Sequence, residues 1–246
     1  MFNFSDKVVI VTGGTRGIGK AVATGFLNSG ANVIVTYTSD DASAEKFKEE
    51  NKGNTDKIGT YKFDVSDYDA VEKFYKEIEE KYERLDVLVN NAGIRKDSVV
   101  GMMKSPDWQK VIDVNLTGTY NMCKFGVMMM MRKRSGRIIN ITSPSGEFGF
   151  AGQANYAASK AGQVALTKTL SKEVATRGIT ANCVSPGYID TDFIKEISDD
   201  IKKDFIAQIP QKRFGKAEEV ANCVLFLASD AASYVNGTTL KVTGGL

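Results

Sequence analysis

The chain has 246 residues, 42% of them hydrophobic and 25% charged, the make-up of a globular chain with a sizeable core in one large or two small domains. A formal net charge of +2 leaves no footprint of nucleic-acid binding, and no apolar run nears the length that crosses a bilayer. Histidine is absent, which excludes Ser-His-Asp and Cys-His nucleophiles, His-ligated zinc and a histidine general base.

The first residues, "MFNFSDK", run straight into a strand, so no signal peptide is expected. That strand, Lys7–Thr12, is a short β-branched run. The stretch after it, "TGGTRGIGKA", fits two phosphate cradles. Gly14, Gly19 and Lys20 have the spacing of a nucleoside-triphosphate loop, but Ala21 stands where that loop needs a hydroxyl for magnesium. Gly13, Gly17 and Gly19 fit a looser pattern that cradles a dinucleotide. A tight turn with no ligand is the third possibility. The helix that follows carries Val22, Phe26 and Leu27 at helical spacing and stops at Gly30. Strand, glycine turn and helix N-terminus together make an anion site.

Further strands are predicted at Asn32–Tyr37, Lys57–Phe63, Asp86–Asn90, Arg137–Thr142, Thr180–Ser185 and Thr239–Val242. Helices lie between them, as in "DYDAVEKFYKEIEEKY", where Val71, Phe74, Ile78 and Tyr82 share a face. Alternating strands and helices predict one α/β domain spanning 1–246, a parallel sheet covered on both sides. The ligand of such a sheet sits beyond the carboxyl ends of its strands. Glycine-rich and polar segments gather there: "GGTRGIG", "YTSDD", "DVS", "NAG", "SPSGEFGF" and "PGYIDT". Cys123, Cys183 and Cys223 are odd in number and widely spaced, which suits reduced thiols of a cytoplasmic protein. No metal is expected.

In "GQANYAASKAG", Tyr156 and Lys160 are one helical turn apart. An ammonium beside a phenol favours the phenolate, so the pair is an acid–base device that needs no histidine; a solvated helix face has the same spacing. Ser143 ends the fifth strand, "NNAG" closes the fourth, and Asn115 lies in a mostly apolar helix where it would need a specific partner.

Together these motifs resemble the short-chain dehydrogenase/reductase family, over essentially the whole chain and in the family's order: "TGGTRGIG", Asp64, "NNAG", Ser143 with "YAASK", and "PGYIDT". The resemblance implies a seven-stranded doubly wound (Rossmann) sheet and hydride transfer with a nicotinamide cofactor. It assigns Tyr156 as the acid that protonates a carbonyl oxygen, and Lys160 to the nicotinamide ribose and to lowering the pKa of Tyr156. Ser143 would hydrogen-bond the substrate oxygen, and Asn115 would hold a water linking Lys160 to solvent. The implied cofactor cradle runs through Gly13, Thr15, Arg16, Gly17, Ile18 and Gly19. Asp64 and Val65 would meet the adenine, and Asn91, with Ala92 and Gly93, the adenine ribose region. Pro186, Gly187, Ile189 and Thr191 would hold the nicotinamide end.

An acidic residue ending the second strand would select NAD. Tyr37, Thr38 and Ser39 stand there instead, and Arg16 can reach a 2′-phosphate, which favours NADP. Asp40 and Asp41 are expected to start the next helix. Within the family the chain is most similar to the branch that reduces 3-oxoacyl thioesters in fatty-acid synthesis. That likeness implies an acyl carrier protein as partner, received by Arg134 and Arg177, and a homotetramer. Arg132, Lys133, Arg134 and Arg137 also suit a helix C-terminus, which favours cations without any partner. Acetoacetyl-CoA, a sugar or a steroid are alternative substrates, and a non-catalytic NADP-sensing module is the alternative outside enzymes. Residues 187–215 are expected to form a substrate lid.

Overall fold

Val8–Thr12 forms β1, every residue of it buried, because β-branched side chains on both faces suit a strand covered from both sides. A computed structural model of the chain describes residues 2–191, 194 and 197–246. After β1 come α1 (Gly17–Asn28), β2 (Asn32–Tyr37), α2 (Asp41–Glu50), β3 (Ile58–Lys62), α3 (Tyr68–Tyr82) and β4 (Val87–Asn90). The chain continues through α4 (Ser105–Ile112), a π-turn (Asp113–Thr117), α5 (Gly118–Lys133), β5 (Gly136–Ile141) and the short α6 (Ser145–Phe148). Then follow α7 (Ala154–Val174), β6 (Ile179–Pro186), β7 (Ile189–Asp190), α8 (Asp199–Gln208), β8 (Gly215–Lys216), α9 (Ala217–Ala228) and β9 (Thr239–Val242).

The main sheet has seven strands in the order β3-β2-β1-β4-β5-β6-β9, and all its ladders are parallel. This is the doubly wound α/β arrangement expected from the sequence, with each strand within a residue of its predicted bounds. The separate β7–β8 ladder was not foreseen, since two residues leave no periodic signal.

Alternate residues of each strand face opposite layers. Val9, Val11, Val33 and Val35 pack with Phe26 of α1 and Val220 and Val224 of α9. Ile10, Ile34, Leu88 and Ile138 pack with Phe74 and Ile78 of α3 and Met122 of α5. Each such side chain contributes about 1.5–3 kcal/mol by leaving water. Asp40 caps α2 by accepting from Ser43 N at 2.9 Å, so the acidic pair does begin that helix. The order reverses between β1 and β4, and the crevice this opens above their carboxyl ends is where the fold places a ligand. Among the described residues, no helix is long and apolar enough to cross a membrane.

Candidate active site

The turn after β1 closes on itself. Gly13 and Gly17 take φ of +61° and +53°, conformations that glycine adopts without strain. Arg16 starts α1 in an extended conformation with no side-chain cap, and the first turn carries no acidic residue. Its leading N–H groups and the helix dipole therefore face the crevice, as a phosphate requires. Asn91 fastens the turn from β4: its Nδ2 donates to Thr12 O and Gly13 O, both at 3.0 Å. Asn91 N and Ala92 N donate to Thr12 Oγ1. Asn91 thus shapes the glycine turn from behind, a task its expected place near the adenine ribose did not anticipate.

At the carboxyl ends of β4, β5 and β6 lies a cavity of about 610 Å³ lined by residues that include Gly93, Ser143, Tyr156, Lys160, Gly187 and Thr191. Arg16, Ile18, Asn91, Pro186 and Ile189 also reach it. Tyr156 and Lys160 share a face of α7, with Lys160 Nζ 5.6 Å from the phenol ring centre. The Arg95 guanidinium, which the sequence reading passed over, lies 5.6 Å from the same ring.

The expected lowering of the Tyr156 pKa is reversed in this structure. Burial pushes the phenol above its ordinary value, outweighing the Ser143 hydroxyl and the Arg95 charge, which pull it down. Lys160 Nζ does not reach the phenol because it donates to Ile141 O (2.8 Å) and Gln163 Oε1 (3.1 Å). Fully buried, the ammonium is itself pushed down to about 8 by desolvation.

Asn115, completely buried, finds the partners the sequence demanded. Its Oδ1 accepts from Ile94 N (2.8 Å), and its Nδ2 donates to Ile94 O (3.0 Å) and Ser159 Oγ (3.1 Å). It sits in the π-turn, a break in helical register that recurs at functional sites. Gln163 completes the network by donating from Nε2 to Asn115 O and Thr119 Oγ1, both at 2.7 Å. The sequence reading missed it, although it lies three residues beyond Lys160, a spacing that brings helical side chains together.

The remaining expected contacts line the other half of the strand edge. Tyr37 is half-buried and Thr38 and Ser39 are exposed at the end of β2. Burial and its hydrogen bond with Asp41 raise the Tyr37 phenol, and Asp41 also pairs with Lys62 at 2.6 Å. The Arg16 charge is near enough to help hold Asp40 low, after that residue's two bonds from Ser43. Asp64 accepts from Lys110 at 2.8 Å and from Ser66, and Val65 is buried behind it. Thr15 is buried within the glycine turn.

The donor set fits a dinucleotide: the uncapped N-terminus of α1 offers backbone N–H groups to a phosphate, and Arg16 stands beside it. Cβ atoms at Gly13 and Gly187 would stand 3.2 Å from Ala92 Cα and 3.0 Å from Thr243 Cα. The chain is thus drawn tightly together at these two glycines, where a side chain has no room. Arg134 and Arg177 are elsewhere. They precede β5 and β6 at the amino ends of the strands, with Arg134 Nη2 donating to Thr176 O at 2.8 Å. A strand of that length separates them from the cavity by about 20 Å.

A doubly wound sheet with a glycine turn at its switch point and a Tyr–Lys pair, its lysine buried, at its carboxyl edge belongs to the dinucleotide-binding oxidoreductases. Comparison with known proteins narrows this. The family model described as Enoyl-(Acyl carrier protein) reductase matches residues 13–246. A 3-oxoacyl-(acyl-carrier-protein) reductase of Staphylococcus epidermidis is 45% identical over 98% of this chain and 99% of its own length. Those of Staphylococcus aureus and Salmonella typhimurium are 44% and 43% identical, each over 98% of its own length and 98% and 99% of this chain. The chain belongs to the short-chain dehydrogenase/reductase family, and membership implies a nicotinamide cofactor.

Proposed function

We propose that the protein reduces the 3-oxo group of an acyl thioester carried on an acyl carrier protein to the 3-hydroxy group, using NADPH. The observation that carries the reading is the half-buried Tyr156 phenol, its pKa raised by desolvation, beside the Ser143 hydroxyl at the cavity wall. When bound, the nicotinamide supplies the hydride. The chain's part is to orient the carbonyl and deliver one proton. Ser143 Oγ donates to the carbonyl oxygen, and Tyr156 gives its proton as negative charge develops there. The Lys160 and Arg95 charges then offset the phenolate left behind. Gly13 to Gly19 hold the pyrophosphate, Lys160 the nicotinamide ribose, and Pro186, Gly187, Ile189 and Thr191 the nicotinamide end. Arg16 with Thr38 and Ser39 forms the 2′-phosphate seat, the basis for preferring NADPH. Asn115 fastens Ile94 beside Lys160, and a water there would connect the lysine to solvent.

The family description names enoyl reduction, whereas the three relatives are 3-oxo reductases. Two hydroxyl groups converging on one wall suit a carbonyl oxygen better than a carbon–carbon double bond. Residues 187–215 are proposed as the substrate lid, supported by Tyr188 stacking on Phe205 of α8 at 4.4 Å; Asp192, Phe193, Lys195 and Glu196 of that stretch lie outside the described residues. Docking of the carrier protein at Arg134 and Arg177 remains part of the proposal, but from the sheet edge opposite this chain's own cavity. Such an arrangement fits a homotetramer in which one chain's arginines serve a neighbour's mouth. Cytoplasmic residence is consistent with three cysteines that are free thiols.

The test is NADPH consumption with acetoacetyl thioesters on carrier protein, on coenzyme A and on a short mimic, with a crotonyl thioester in parallel. Preference for the carrier-bound 3-oxo substrate is expected. Turnover of crotonyl but not acetoacetyl thioesters, or consumption with neither, would refute the reading. Equal efficiency on coenzyme A would shift the substrate to a free thioester.

A further inference from the structure

Gln163 is completely buried on α7, and every polar atom of its side chain is used. Nε2 donates to Asn115 O and Thr119 Oγ1, while Oε1 accepts from Lys160 Nζ. Three constraints fix the orientation of this amide. An ammonium only donates, so the oxygen must face Lys160. The Thr119 hydroxyl spends its proton on Asn115 O at 2.7 Å, so Thr119 Oγ1 must accept from Gln163. Asn115 O, likewise, can only accept.

We infer that Gln163 is a positioning residue for Lys160: its amide ties the ammonium to the π-turn that carries Asn115 and so fixes where the charge stands. This rests on the function proposed above. Of the three N–H bonds of Lys160, Ile141 O and Gln163 Oε1 take two. One remains for the crevice side, where a Cβ at Gly93 would stand 3.7 Å from Nζ. A lysine with four rotatable bonds in its side chain would otherwise sample other positions. Gln163 also replaces part of the hydration that burial removes, so it favours the charged form of Lys160. The titratable groups facing Lys160 are Tyr156 on its own helix and Cys183 on β6. The Cys183 thiol is itself pushed up by burial. β5 contributes the Ile141 carbonyl, and the π-turn contributes Asn115.

The experiment measures Lys160 directly in full-length protein labelled with ¹³C at the lysine ε-carbon, the signal being assigned by its loss in Lys160→Met. The alkaline limb of kcat/KM with NADPH and acetoacetyl-CoA is followed in parallel. Gln163→Leu removes a hydrogen bond to a charged group, which should weaken proton affinity at Lys160 on the order of tenfold. Its titration midpoint and the alkaline limb should both fall by about one pH unit. Gln163→Met, of similar length but apolar, should lower both likewise. A Leu variant that loses turnover uniformly, with midpoint and limb unmoved, would mean that Gln163 only fills space, and the inference fails. If the Leu variant does not fold, an unmoved midpoint in Gln163→Met refutes it equally. If the wild type consumes no NADPH with any oxo substrate, the proposed function fails, while the lysine titration, which needs no turnover, still decides the role of Gln163.

Discussion

Gly19→Ala sets two physical effects against each other. Gly19 lies in the first turn of α1 without a positive φ, so helix propensity alone predicts that alanine stabilises by about 1 kcal/mol. Packing predicts the reverse. An added Cβ would stand 2.1 Å from Gly13 O, 2.5 Å from Asn91 Nδ2 and 2.9 Å from Gly13 C. Two of these three atoms are backbone, and the third is held by bonds to Thr12 O and Gly13 O, so no flexible side chain can swing aside. Restoring ordinary contact moves the turn by about 1 Å. Overpacking of this kind costs about 1–3 kcal/mol or more, so destabilisation wins. In a chain of this length that lowers Tm by about 2–12 °C. The displaced amides belong to the proposed phosphate cradle, and losing one hydrogen bond to a charged group weakens NADPH binding roughly tenfold or more. Thermal melts with and without NADPH, and a fluorescence titration of NADPH, read both effects. Gly53→Ala is the control, since nothing lies within 4 Å of its added Cβ. A Gly19→Ala protein that melts with the wild type and binds NADPH as well would refute the closed-turn reasoning.

Tyr156→Phe should bind NADPH nearly as the wild type does but turn over about 10²–10⁴-fold more slowly; near-normal turnover would remove Tyr156 as the acid. Arg16→Ala should weaken NADPH more than NADH, and Tyr37→Asp should shift preference toward NADH; equal changes in both dissociation constants would mean that the 2′-phosphate seat lies elsewhere. Arg134→Ala and Arg177→Ala should raise KM for the carrier-bound substrate and flatten its salt dependence, leaving a small thiol mimic unaffected; identical salt responses of the two substrates in the wild type would end the docking proposal. Lys160 sits near 8 in the folded protein against an ordinary 10.5. The unfolded chain therefore holds more protons between those values, and stability should rise with pH through that window, by up to about 3 kcal/mol. Urea unfolding between pH 7.5 and 9.5 should show the rise in wild type and its loss in Lys160→Met; parallel curves would contradict the buried ammonium.

Much of the fold was legible because the relevant physics is local. β-branched runs mark strands buried on both faces, and Val71, Phe74 and Ile78 repeat at helical period and are buried in α3. Gly13 and Gly17 stand where the backbone takes positive φ. The parts that were not legible depend on neighbours distant in sequence. Asn91 and Gly13 are 78 residues apart, yet their bond shapes the turn. Nothing in "YAASKAGQ" shows that the last residue meets Asn115 O across 48 positions. Arg134 and Arg177 read as a basic pair, and only the strand directions reveal that they occupy the edge away from the cavity.

The direction of the Tyr156 shift follows from the same dependence on surroundings. Spacing within α7 suggests that an ammonium one turn away should draw the proton off the phenol. The structure instead directs Lys160 toward Ile141 O and Gln163 Oε1 and leaves burial to dominate the phenol. For the proposed reduction this would serve the chemistry better. A phenol ionised beforehand has no proton to give, whereas one kept neutral by its surroundings releases it only when a stronger base, the forming alkoxide, arrives. In the proposed reduction the nearby charges would matter after transfer: Lys160 and Arg95, each 5.6 Å from the ring, would offset the phenolate. On the proposed mechanism, desolvation would hold the proton until it is needed, and two cations would accommodate the charge it leaves, without any histidine.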